Sequence, residues 1–183
     1  AASRLARRAR VRGRRPRPLP TPGLVVLNAR FLPDSRILFN AAAPGRRRRF
    51  HVMDPKTGAV KPLPYEGYRF VWVAPDGRRF ASVDPDGRSV ICTVDGDEPR
   101  RIPGVDPPDV VAGWSSDGSA VYVRRGWVTL IPARIERVDL ATGRAEPFRE
   151  IAPPDRTGVV TLQAMHVVLD GRSYAYGYGR QLS

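Results

Sequence analysis

One short pattern, an aspartate turn flanked by apolar segments, occurs four times along the chain. The four copies are "FLPDSRILFN" at Asp34, "VAPDGRRFAS" at Asp76, "WSSDGSAVYV" at Asp117 and "VVLDGRSYAY" at Asp170, spaced by 42, 41 and 53 residues. Gly77, Gly118 and Gly171 follow the aspartate in three copies, and Ser35 takes that place in the first. Three residues before the aspartate stand Phe31, Val73, Trp114 and Val167; four residues after it stand Leu38, Phe80, Val121 and Tyr174. Such a turn needs one residue at positive φ, which glycine adopts without steric cost. An aspartate carboxylate can fix the turn by accepting a backbone N–H two residues on.

A second turn recurs out of phase with the first. "DPKTG" runs from Asp54 to Gly58 and "DLATG" from Asp139 to Gly143, with "DGDEP" at Asp95 between them. Two turn types, each returning after about 42 residues, describe a repeated unit of four strands. In the second unit the strands are expected near 69–74, 78–83, 89–94 and 99–102, with "DPDG" at 84–87 as the middle turn. The flanks are rich in Val, Ile, Thr, Phe and Tyr, which suit pleated strands. Nineteen prolines and 17 glycines scattered along the chain oppose long helices. A four-stranded unit of this period is a β-propeller blade.

The expected fold is therefore all-β, a partial propeller of about three and a half four-stranded antiparallel blades. The blades are expected near 23–65, 66–104, 105–153 and 154–183, the last of them incomplete and the third carrying an insertion over 126–134. Residues 1–22 are set apart as a disordered basic tail or linker. They hold eight arginines and no acid, whereas the net charge of the whole chain is +13. Like charges and proline prevent that segment from building a core. The alternative is a polyanion-binding arm for nucleic acid or another anionic surface. No aromatic residue interleaves these arginines, so bases would have no stacking platform there. No apolar run reaches the roughly 20 residues that span a bilayer.

The units resemble the WD-repeat-like propeller repeats of bacterial TolB-type proteins, in which an aromatic–x–x–Asp–Gly turn precedes an apolar strand and a D-x-x-T-G turn precedes the outer one. "WSSDGSAVYV" and "VDLATG" carry the likeness best, "VAPDGRRFAS" closely and "FLPDSRILFN" more loosely. The ending "DGRSYAYGYGRQLS" is similar to the closing segment of propellers fused behind bacterial Ser/Thr protein kinase domains. That resemblance implies a regulatory or interaction region of a larger protein, with the missing blades of the same propeller among its partners. The same repeats also resemble propellers that precede prolyl-oligopeptidase-type peptidase domains, where the propeller gates substrate. No Gly-rich loop, His-Arg-Asp segment or Asp-Phe-Gly is present, so no kinase chemistry is expected of this chain itself.

Individual residues give little sign of catalysis. Ser115 and Ser116 lack the Gly-x-Ser-x-Gly spacing of a nucleophile elbow and lead into a strand. His51 and His166, the only histidines, have no visible partner for a triad or a metal. Cys92, the only cysteine, sits inside "VICTV" as a small apolar residue, and an intrachain disulfide is impossible. "DPDG" and "DGDEP" lack the remaining ligands of a calcium loop. No catalytic residue, cofactor or metal is expected. Two interaction candidates remain. Arg46, Arg47, Arg48 and Arg49 form a basic run expected in the loop between the second and third strands of the first blade. Trp127 lies in the insertion beside Val128, Leu130 and Ile131. Trp114 is expected in the core, with Trp72 on the opposite face of its strand from Val73. The expected function is a non-enzymatic scaffold for a protein or small ligand, with the gating propeller and the polyanion-binding protein as alternatives.

Overall fold

The computed structural model describes Leu19, Thr21 and residues 23–181; the expectations for the tail at 1–22 fall almost entirely outside these residues. All regular structure among the described residues is strand. The first sheet holds β1 (Val25–Phe31), β2 (Ile37–Ala42), β3 (Arg49–Met53) and β4 (Val60–Glu66). The second holds β5 (Arg69–Val73), β6 (Arg79–Val83), β7 (Ser89–Thr93) and β8 (Arg100–Arg101). The third holds β9 (Val110–Trp114), β10 (Ala120–Arg125), β11 (Ala133–Asp139) and β12 (Ala145–Ile151). A two-stranded sheet follows, β13 (Val159–Val167) with β14 (Tyr174–Arg180). Neighbours in each sheet are consecutive in sequence and antiparallel. This is a partial β-propeller of three blades and half of a fourth. No helix among the described residues is long and apolar enough to cross a membrane.

The aspartate turns close each inner hairpin in the same way. The N–H groups of Ser35, Gly77, Gly118 and Gly171 donate to the carbonyls of Leu32, Ala74, Ser115 and Val168, at 2.8–3.0 Å. Those four donor residues all have φ between 66° and 72°. The carboxylates of Asp34, Asp76, Asp117 and Asp170 accept the N–H two residues on, from Arg36, Arg78, Ser119 and Arg172. Asp54 and Asp139 cap the second turn type likewise, accepting from Lys56 N–H and from Ala141 and Thr142 N–H, with Gly58 and Gly143 at φ 76° and 73°. The "DGDEP" turn works differently. There Thr93 Oγ1 accepts from Gly96 and Asp97 N–H, so the capping oxygen sits two residues before Asp95.

The cores lie between blades. Leu38, Phe50, Leu63 and Tyr65 of the first blade pack on Val71, Phe80, Val90 and Cys92 of the second. Trp114, Val121 and Val123 of the third face Ala74, Ala81 and Ile102. Tyr122, Ile135 and Ile151 meet Leu162, Met165 and Val167 of the half-blade. Polar staples cross the same seams. Tyr65 Oη donates to Asp97 O at 2.7 Å and accepts from Thr93 N–H. Trp114 Nε1 donates to Trp72 O at 2.8 Å. Arg79 pairs with Asp76 at 2.6 Å, donates to Gly118 O and stands 5.4 Å over the Trp114 ring.

Three local expectations need correction. The first turn is one residue tighter than the others: Leu32 N–H bonds Arg36 O, where Ala74 N–H bonds Arg79 O five residues on. Ile37 therefore pairs with Phe31, as Phe80, Val121 and Tyr174 pair with Val73, Trp114 and Val167. A one-residue shift turns a side chain to the other face, so Leu38 points toward the second blade and is not the equivalent of Phe80. Phe31 is 75% exposed. Its counterparts Trp114 and Val167 pack on the blade before their own, and no sheet precedes β1 among the described residues. Arg49 is not a loop residue: it opens β3 and pairs with Glu66 at 2.7 Å. The insertion is also shorter than expected, since Ala133 and Arg134 belong to β11.

Candidate functional site

Strands β1, β5, β9 and β13 are the innermost of their sheets, and each carries a bulge. The registers shift between Val26 and Asn28 on β1, between Arg69 and Trp72 on β5, and between Gln163 and His166 on β13. On β9, Gly113 pairs with Tyr122 and Val111 with Val123, which leaves Ala112 as the extra residue. Bulges bend a strand and re-aim its side chains. Two of them hold non-glycine residues at positive φ, Phe70 at 60° and Ala164 at 47°. The β5 bulge is supported from the neighbouring strand, where Ser82 Oγ lies 2.9 Å from Arg69 O and 3.1 Å from Phe70 O.

The re-aimed strands converge on one central depression of about 220 Å³. Its wall takes the residue four before each repeat aspartate: Arg30, Trp72, Gly113 and His166. Phe31, Val73, Trp114, Val167 and Leu169 complete much of the remainder, and no lining residue is acidic. Gly113 is dictated by packing, because a Cβ there would collide with the Val167 carbonyl oxygen. Its missing side chain lets β9 and β13 approach. Arg30 has no carboxylate partner among the described residues; its Nη1 donates only to the adjacent Ala29 O, at 2.9 Å. Burial, reinforced by the Arg30 guanidinium, pushes the His166 imidazole below its ordinary range. That shift favours the neutral ring, which has one nitrogen able to donate and one to accept. Trp72 Nε1 is buried beside the depression with no acceptor.

The two interaction candidates, the Arg46–Arg49 run and Trp127, lie at the other end of the sheets. The aspartate turns close the inner hairpins at one end, so the loops between second and third strands fall at the opposite end. Arg46, Arg47 and Arg48 are exposed there in the β2–β3 turn. Trp127, 67% exposed, sits in the β10–β11 loop. That loop is held from inside: buried Arg124 donates to Trp127 O at 2.8 Å, and Leu162 N–H donates to Val128 O at 2.9 Å. The structure does not bring Arg46–Arg49 and Trp127 together with the depression. Among the described residues no group of His, Cys, Asp and Glu could hold a metal ion. Cys92 is fully buried and its thiol is pushed up by that burial. His51 stacks on Phe39 at 5.1 Å, and burial lowers its imidazole in turn. Arg30, Trp72 and His166 do not stand out in the sequence as a group, because the apolar positions of the aspartate frame pass them by. The same frame, moved one residue toward the N-terminus, selects all four wall positions.

No family model and no curated protein matches the chain. Solved structures do resemble it. TolB from Acinetobacter baumannii superposes with a TM-score of 0.57 at 17% identity, covering 87% of this chain and 44% of that one. An oligogalacturonate lyase in complex with manganese gives 0.52 at 18% identity over 79% and 50%. The β-propeller domain of the Trilobed protease from Pyrococcus furiosus, described as having an open velcro topology, gives 0.50 at 12% identity over 75% and 45%. These likenesses establish a TolB-like β-propeller fold. The chain spans about half the length of the structures it resembles.

Proposed function

We propose that this chain is a non-enzymatic binding scaffold, the sensory or interaction region of a larger bacterial protein such as a Ser/Thr kinase. The observation that carries the reading is the convergence of four bulged inner strands on one depression. Bulges and positive-φ residues cost stability, and here every inner strand carries a bulge and contributes to one concave wall. Exposed Trp127, fixed by Arg124, offers a second contact for a protein partner at the loop end of the sheets. The kinase association rests on the resemblance of the closing repeat alone. The adjoining reading frame tests it: a Ser/Thr kinase catalytic loop upstream is the expected result. A Gly-x-Ser-x-Gly hydrolase downstream would replace that association with the gating propeller of a peptidase. Binding without turnover is checked separately, by recovering a bound ligand unchanged after prolonged incubation with the chain.

A further inference from the structure

We infer that the central depression is a site for a small organic carboxylate, held by the Arg30 guanidinium with its apolar body against Phe31 and Trp72. The inference rests on the scaffold reading above and names the ligand class for that same depression.

The charge balance of the wall points to an anion. Arg30 is the one formally charged side chain lining the depression, and nothing acidic lines it. Its only hydrogen bond is to a neighbouring backbone carbonyl, which leaves most of the guanidinium fork free. A carboxylate matches that fork in a two-pronged pair, the strongest of the common ion-pair geometries. His166, opposite on β13, adds an imidazole N–H donor without adding a second positive charge. The remaining wall is apolar and partly aromatic: Phe31, Val71, Trp72, Val73, Trp114 and Leu169. Phe31 borders the depression next to Arg30 and supplies an aromatic edge to its wall.

Size limits the ligand further. At about 220 Å³ the depression is smaller than the roughly 300–1,000 Å³ of drug-sized sites. A single ring or short apolar chain bearing one carboxylate fits this volume. A metal ion would meet no anionic ligand in the wall, and a polyphosphate would meet only one cation.

The test is a titration of the full chain, followed by NMR chemical shifts and Trp fluorescence, with benzoate and with its uncharged isostere benzamide. The expected result is saturable benzoate binding with shifts confined to the lining strands β1, β5, β9 and β13 and the adjoining Leu169, and benzamide weaker by about tenfold or more. Arg30→Gln should weaken benzoate about tenfold and leave benzamide unchanged, while Arg47→Gln should alter neither. Arg30 is exposed and carries no structural bond beyond its own strand, so the folded spectrum should survive the substitution. Equal binding of benzoate and benzamide in the depression would overturn the carboxylate assignment and leave the scaffold reading standing. Failure of both probes to bind would overturn the assignment and remove the depression as the scaffold's ligand site. Benzoate binding that persists in Arg30→Gln and vanishes in Arg47→Gln would overturn it as well, by placing the anion on the basic loop.

Discussion

Ser35 and Gly77 occupy the same place in successive turns, at φ 72° and 66°, and show how one backbone requirement is met with and without a side chain. A non-glycine residue in this region costs about 1–2 kcal/mol. Ser35 bears that cost in an open turn. A Cβ on Gly77 would in addition lie 2.6 Å from Pro33 Cδ of the preceding turn. Gly77→Ser should therefore destabilise the chain by about 2–3 kcal/mol. Ser35→Gly should stay within about 1 kcal/mol of the parent, because relief of strain is offset by the added freedom of the unfolded chain. Urea unfolding of both variants checks the pair. Equal losses would show that the stacked proline contributes nothing. The aspartate of each repeat turn, and the glycine that follows it in three of the four, were legible in the sequence because they act locally. The burial of their neighbours was not: Phe31 fits the apolar frame as well as Trp114 does, yet it is exposed because burial depends on which blade stands beside it.

At the scale of the strand pair, the capping carboxylates link turn geometry to pH. Hydrogen bonds from Ser115 hydroxyl and Ser119 N–H hold the Asp117 carboxyl well below the usual carboxylate range. Backbone N–H donors do the same for Asp34, Asp54, Asp139 and Asp155, led by Arg36, Lys56, Thr142 and Thr157. A carboxyl whose folded value is depressed adds stability that is complete above its unfolded value, near 3.9. That stability is lost as pH falls through the folded values. The urea midpoint should accordingly fall modestly as pH drops through about 6.5, where His51 and His166 take up protons more readily in the unfolded chain, and more steeply below about pH 4 as the capping carboxylates protonate. Asp117→Asn should shrink the acid-dependent part of the decline. A midpoint that stays flat down to pH 2, or that rises on acidification, would contradict the capping role. The "DGDEP" turn shows the limit of reading such elements by eye. Its acids suggest an Asp cap, but Thr93, the last residue of β7, accepts the open N–H groups instead. Similarly, the single-residue tightening at Leu32–Arg36 changes which of Ile37 and Leu38 faces a given blade, and the alignment on Asp34 carries no mark of it.

Across the whole molecule, the repeat made the architecture legible and left the site hidden. A period near 42 residues with two turn types defines a four-stranded blade, and three such sheets with a fourth half-formed follow from it. The depression depends on contacts between strands from different blades, and no local pattern reports those. Arg30 and His166 lie at opposite ends of the described chain and become neighbours only when the inner strands gather around one centre. Their meeting ties the fold to the proposed function. A nitroxide attached at His166→Cys, with Cys92→Ala removing the native thiol, measures it directly through paramagnetic broadening of backbone amide signals. Broadening of the β1 signals around Arg30 and the β5 signals around Trp72, as well as those of β9 and β14, is the predicted result. Broadening confined to β9 and β14, with β1 and β5 untouched, would contradict the convergence of the inner strands and with it the central site.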